Sequence, residues 1–279
     1  MFEIITDSTF DLTPVQAEKL GVKVMPLTVH FGEESFRDGV DISNADFYAR
    51  LREARTLPTT SQINPEAFAS AFREVLERGN QALGIFVSSE LSGTVQSALI
   101  AKEMLDSQDV FVVDSRQVAL SLGLLVGEAV RLRDAGVSAA DTARQLTVLR
   151  EKVRLYAVVD TLKYLKMGGR ISAATAAVGG VLGVTPIVTM KDGKVESAGK
   201  TRGRKAGVQW IRQRVAAEQL DFSRPLALGH TDCPEALTAV TEGFSELAPC
   251  FASVTSCEIG AVVGTHAGPG AAGVAYFVK

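Results

Sequence analysis

The sequence predicts an α/β protein of two domains: an N-terminal, Rossmann-like, mostly parallel sheet with helices, and a C-terminal α/β domain with a mixed or antiparallel sheet. Two observations carry this. Up to about residue 150, short, wholly apolar runs alternate with amphipathic stretches, as strands buried on both faces between crossover helices do. After it, Asp192-Gly193 separates two strand-like runs, the signal for a tight hairpin and therefore for antiparallel pairing. No internal repeat or low-complexity linker intervenes, so the halves, 1–152 and 153–279 with an approximate boundary, are expected to pack closely as one module.

In order, strands are expected at Phe2–Ile5, ending in Thr6-Asp7-Ser8, then Val22–Phe31, Ala82–Val87 and Val110–Val113, with helices at Pro65–Arg78, Thr94–Leu105 and Val118–Asp134. The second half reads as a strand at Leu155–Val159 that leads into Leu162–Lys166, and then the hairpin Val184–Met190/Lys194–Gly199. A helix at Lys205–Gln219 and strands near Leu226–Gly229, Ala252–Glu258 and Gly273–Val278 follow.

At 279 residues and 46% hydrophobic, the chain can build a sizeable core. A formal charge of −3 excludes the broad positive face that nucleic-acid binding needs, though not a local basic site. Cys233, Cys250 and Cys257 show no paired spacing, so neither a disulfide framework nor a zinc site is expected, and buried or semi-buried thiols in a reducing cytoplasm fit better. The start, MFEIITDSTFDL, lacks the basic region of a secretory signal. Ile171–Met190 is uncharged and about as long as a bilayer span, but Gly179, Gly180, Gly183 and Pro186 make it a helix followed by a buried strand.

Four stretches could carry chemistry. Val87-Ser88-Ser89-Glu90-Leu91-Ser92-Gly93-Thr94 follows a strand and opens a helix, with Ser92 at the N-cap. A helix start of this kind attracts a carboxylate or phosphate, although from this stretch alone plain capping is the favoured reading. Pro58-Thr59-Thr60-Ser61-Gln62 is a hydroxyl-rich loop, a polar end for a pocket or an ordinary turn. Val263-Gly264-Thr265-His266-Ala267-Gly268-Pro269-Gly270 reads as a glycine-rich loop around His266, which outranks His30 and His230 as a functional imidazole. Lys200-Thr201-Arg202-Gly203-Arg204-Lys205 is a compact basic cluster, a solvated face or a phosphate contact. Nucleophile-elbow, P-loop and dinucleotide fingerprints are missing, and no histidine–carboxylate spacing suggests a metal.

Together these pieces resemble the DegV family of bacterial fatty-acid-binding proteins. The resemblance rests on Thr6-Asp7-Ser8, Thr60-Ser61-Gln62, Ser88 through Thr94, Val113-Asp114-Ser115, Tyr164-Leu165 with Gly168-Gly169-Arg170-Ile171-Ser172, and Gly264-Thr265-His266 with Gly268-Pro269-Gly270, all in family order. It implies two α/β domains around an apolar tunnel that holds one long-chain fatty acid, such as palmitate, with no other cofactor and no metal. It further implies a carboxylate held by Thr60, Ser92 and His266, with Ser61, Gly93 and Thr94 in support. The family role it implies is the cytoplasmic carrier subunit of an ATP-dependent fatty acid kinase. The kinase supplies the catalysis and makes an acyl phosphate for phospholipid metabolism. Arg170 and Arg202 match basic positions that would face the partner or the phosphate. Two departures bear on tunnel shape: Ile63-Asn64 stands before Pro65 where the family has proline, and Thr185 stands where lysine often precedes the proline.

Small side chains between Ala173 and Gly183 would suit a tunnel wall. Two other readings remain: a serine esterase or thioesterase using Ser92 and His266 with Asp7 or Asp114 as the orienting acid, and a non-lipid small-molecule binder at the same helix start.

Overall fold

Strands β1 (Phe2–Asp7), β2 (Val22–Met25), β6 (Gln81–Phe86) and β7 (Val110–Asp114) form a parallel sheet in the order β2-β1-β6-β7 in a computed structural model that describes residues 1–172 and 183–279. Both faces are covered, as apolar runs like Ala82–Phe86 require. On one face lie α2 (Asn44–Glu53), α3 (Pro65–Glu77) and α4 (Thr94–Leu105), which bury Phe47, Phe68, Phe72 and Ala98 against Ile5 and Phe86. On the other lies α5 (Leu120–Asp134), with α6 (Ala139–Leu149) beside it, burying Leu122 and Leu125 against Ile4 and Leu83.

The expected strand over 22–31 is two strands in two sheets. Pro26 supplies no ladder N–H, so the chain leaves β2 there and re-pairs as β3 (Thr28–Phe31), the centre of a small antiparallel sheet with β4 (Glu34–Arg37) and β5 (Thr59–Ser61).

The second half builds a six-stranded mixed sheet, β10-β9-β8-β13-β11-β12, from β8 (Val153–Val158), β9 (Thr185–Lys191), β10 (Lys194–Thr201), β11 (Leu226–His230), β12 (Val254–Glu258) and β13 (Ala272–Phe277). The hairpin forms as read: Lys191 pairs with Lys194, and Asp192 and Gly193 sit at φ 50° and 80° as a mirror-image turn requires. Its tip docks on the parallel half, where the Ser88 hydroxyl donates to the Gly193 carbonyl at 2.7 Å and Lys194 pairs with Glu90 at 3.3 Å.

The outer face of this sheet packs on α8 (Arg204–Ala216) and α9 (Pro234–Gly243), with Val208, Ile211, Val240 and Phe244 against Val158, Leu228 and Val274. Its inner face meets α5, which packs against β1 as well as β8, β11 and β13. Two short helices are described besides these: α7 (Lys163–Met167) and α10 (Ala261–Ala267). The helix expected at the start of the uncharged segment, and most of the small-residue wall, fall within 173–182, outside the described residues; the strand expected at its end is β9. No helix among the described residues is long and apolar enough to cross a membrane. Cys233 and Cys257 are partly buried and Cys250 is exposed, which corrects the expectation of three sheltered thiols.

Candidate functional site

Register across the six-stranded sheet creates a hollow. Gly229 lies beside Gly273, Gly273 beside Ala157, and Ala157 beside Val188. Gly229, Gly273 and Ala157 present almost no side-chain volume on the inner face, whereas Leu155, Met190, Ala227 and Ala275 nearby pack into the core with α5. Above the small row lies a cavity of about 340 Å³, walled also by Leu120, Val118 and Ile259, a size in the range of small-molecule sites. Sequence reading missed this row because its members come from separate strands; only their pairing brings them together.

Much of the polar lining comes from four places, with Thr9, Thr189, His230 and Thr231 adding polar groups elsewhere on the wall. Thr60 and Ser61 arrive on β5, placed by pairing with β3 (Val29 opposite Thr60). Ser92 and Gly93 arrive on the turn after β6, Arg170 follows α7, and His266 sits in the last turn of α10. All of them line the one cavity, with the Gln62 side chain beside them. Gln62 Nε2 donates to Ser97 Oγ at 2.8 Å, and its carboxamide fills the space where a Cβ at Gly93 would stand. Thr94 is buried behind Ser92, outside the cavity lining. Arg202 stands exposed on the turn between β10 and α8, also outside it.

Two local expectations need correction. Helix α4 starts at Thr94 with Gly93 as its N-cap, so Ser92 lies one residue earlier; its Oγ accepts from Thr94 N–H at 3.3 Å and lies 2.9 Å from Thr94 Oγ1. His266 is helical and not in a loop. Gly264 serves packing, since a Cβ there would fall 2.6 Å from the Tyr48 hydroxyl and 2.8 Å from Phe47, while Gly268 and Gly270 take positive φ of 72° and 86°.

The geometry around His266 is specific. Its Nε2 lies 2.9 Å from Thr60 Oγ1. Its Nδ1 is sealed from solvent with no hydrogen-bond partner among the described residues, and a Cβ at Gly168 would overlap it. Burial, reinforced by the nearby Arg170 guanidinium, pushes the imidazole down to about 4 from its ordinary 6.5, so it is neutral at neutral pH. Arg170 donates from Nε to the Leu91 carbonyl (3.1 Å) and from Nη1 to the Gly168 carbonyl (2.6 Å), and pairs with no carboxylate among the described residues. Burial lowers its pKa, the mark of a cation that lacks an anion.

The triad of a serine hydrolase is not assembled among the described residues. His266 faces Thr60, Ser92 faces Thr94, Asp7 accepts from Thr9 and Val87, and Asp114 accepts from Ser89 and Arg116. No group of three or more acidic, histidine or cysteine side chains among the described residues is placed to hold a metal.

Comparison with known proteins places the chain in a family. A family model described as "Uncharacterised protein, DegV family" matches residues 1–279. The chain belongs to the DegV family. A DegV domain-containing protein of Caldanaerobacter subterraneus is 36% identical over 277 residues, covering 99% of this chain and 98% of that protein. Among solved structures, a fatty-acid-binding DegV family protein from Thermus thermophilus superposes with a TM-score of 0.90 at 34% identity, covering 99% of each chain. A stearic-acid-binding protein from Eubacterium ventriosum superposes at 0.84 with 28% identity, covering 100% of this chain and 99% of the other. The DegV fold, with its parallel sheet and its mixed sheet, is therefore the fold of this chain.

Proposed function

We propose that the protein is a cytoplasmic carrier that buries one long-chain fatty acid in the cavity and presents its carboxyl group to an ATP-dependent kinase, which converts it to an acyl phosphate. In this reading the chain divides near residue 152 into two α/β domains with the acyl chain between them. The observation that carries it is the pairing of Thr60 with a neutral His266 in a mainly apolar cavity.

Placing the imidazole proton on Nε2 leaves Nδ1 as a bare acceptor and avoids burying an unpaired N–H against Gly168. Nε2–H then donates to Thr60 Oγ1, and the threonine's own proton is free to donate to a carboxylate oxygen. Ser92 adds a second hydroxyl, with Ser61, Gly93 and Thr94 shaping the surround. Arg170 supplies the positive charge that a half-buried carboxylate needs and that a phosphoryl group would need after transfer. Arg202, exposed beyond the cavity, suits the partner better than the bound acid. Burial of the acyl chain contributes about 0.8 kcal/mol per methylene, on the order of 10 kcal/mol for a long chain before association costs, which is why an apolar cavity suffices for retention.

The experiment is to denature the natively purified protein and identify the released ligand by mass spectrometry, then supply the loaded protein to a fatty acid kinase with ATP. A stoichiometric fatty acid and its acyl phosphate are expected. A nucleotide or polar metabolite in place of the acid would overturn the carrier reading, and p-nitrophenyl ester turnover abolished by Ser92→Ala would replace it with an esterase.

A further inference from the structure

The helix that carries His266 is gripped at its start by side chains from the opposite end of the chain. Gly260 N–H donates to Asp11 Oδ1 at 2.8 Å, Ala261 N–H to Asp38 Oδ1 at 3.0 Å and Val262 N–H to Asp38 Oδ2 at 3.4 Å. Just before it, the Tyr48 hydroxyl donates to the Ile259 carbonyl at 2.9 Å and Asn44 Nδ2 to the Glu258 carbonyl at 3.3 Å. The first N–H groups of a helix have no partner within it, and a nearby negative charge favours that end. An exposed serine would satisfy the same need. Here two carboxylates do so, at 6% and 5% exposure, close enough that Asp38 raises the pKa of Asp11 on top of the effect of burial. Asp11 Oδ2 has no partner among the described residues. Burying two neighbouring carboxylates is costly, so simple capping does not account for them.

Helix α10 spans Ala261–Ala267, roughly 10 Å at 1.5 Å per residue, so a shift at its start reaches His266 with little damping. Its far end has one polar tether from the imidazole among the described residues, the contact with Thr60. We infer that Asp11 and Asp38 are positioning residues, which set the His266 imidazole against Thr60 by fixing the start of α10. The inference rests on the reading of Thr60 and His266 as the carboxylate site. It adds that the site's geometry is dictated by side chains at the other end of the helix, outside the cavity lining.

Three variants separate positioning from mere stability. Asp38→Ala removes both acceptors, Asp38→Asn keeps Oδ1, and Gly260→Ala keeps both carboxylates but sets a methyl 3.1 Å from Asp11 Oδ1 and 3.2 Å from Asp38 Oδ1. Each is read by the ¹⁵N resonances of the His266 imidazole in ligand-free protein, and by the dissociation rate of palmitate. Asp38→Ala is expected to shift the Nε2 resonance and speed dissociation about tenfold, the loss of roughly one hydrogen bond to the acid. Asp38→Asn should recover most of both. An unchanged imidazole spectrum in folded Asp38→Ala overturns the inference whatever the protein binds. A shifted spectrum in a protein whose wild type holds no fatty acid supports the positioning and overturns only the carboxylate reading. Should Asp38→Ala not fold, Gly260→Ala carries the test: a displaced Nε2 signal supports the inference and an undisturbed one overturns it.

Discussion

Thr60 Oγ1 and His266 Nε2 meet at 2.9 Å across 206 residues of sequence, one on the middle strand position of β5 and the other in the last turn of α10. The pair joins the small antiparallel sheet to a helix from the opposite end of the chain, so it reports on the whole fold as well as on the ligand. Thr60→Val keeps the shape of the side chain and removes the hydroxyl. Retention of a fatty acid should weaken by about 1–3 kcal/mol, and by a similar amount in Ser92→Ala. Displacement of a fluorescent fatty acid measures both. Undiminished retention in both variants would remove the proposed carboxylate site.

A neutral His266 has a signature in pH. Its pKa falls from the ordinary 6.5 to about 4 on folding, so between those values the unfolded chain takes up a proton that the folded chain does not. The contribution of His266 to stability is therefore fully present above about pH 6.5 and is lost as pH falls toward 4. The buried Asp7, pushed up to about 6 from 3.8, works in the opposite sense over an overlapping range, so total stability against pH is a poor readout. The difference between wild type and His266→Gln isolates the histidine. Wild type should lose up to about 3 kcal/mol more than the variant between pH 7 and pH 4. Denaturant midpoints across that range check the sign, and a histidine that titrates near 6.5 by NMR would refute it.

Gly168 and Gly169 offer a matched contrast. Gly168 has ordinary helical angles, φ −75° and ψ −6°, but a methyl there would overlap His266 Nδ1. A methyl on Gly169 would meet nothing within 4 Å, but the φ of 71° at that position belongs to glycine. Gly168→Ala should push the imidazole off Thr60 and lower acyl retention, with an overpacking cost of about 1–3 kcal/mol. Gly169→Ala should lower stability by about 1–2 kcal/mol through backbone strain and leave retention alone. Equal loss of retention in both would show that the loop's backbone, and not the room around His266, governs the site.

The parts of the fold legible in the sequence are those in which local pattern and final environment agree. Ala82–Phe86 is apolar throughout because it is the inside of a parallel sheet, and Asp192-Gly193 turns the chain because each residue tolerates a positive φ. Short polar strands such as Glu34–Arg37 and Thr59–Ser61 have no such pattern; their pairing with β3 decides them. Helix α10 is hidden by its own packing, since Gly264 is needed for contact with Phe47 and Tyr48 and reads as a loop residue when that contact is unknown. In the candidate site, the polar residues were legible as types, whereas the small-residue row of Gly229, Gly273 and Ala157 exists only in the register.

That row yields a further prediction. Ala157 lies within β8, in the interior of a six-stranded sheet, yet it is only partly buried, because the surface it shows faces the cavity. A larger residue there would fill space already present, unlike the overpacking of a closed core. Ala157→Leu should therefore fold with stability within about 1 kcal/mol of wild type, since added apolar burial offsets small adjustments around it. It should nonetheless lose the fatty acid, because the added side chain occupies the volume the acyl chain needs while Thr60, Ser92 and His266 stay intact. Ligand content after purification, with thermal unfolding in parallel, separates the two effects. A variant that folds normally and still copurifies with a full complement of fatty acid would place the acyl chain elsewhere, and the hollow over β8 would need another occupant.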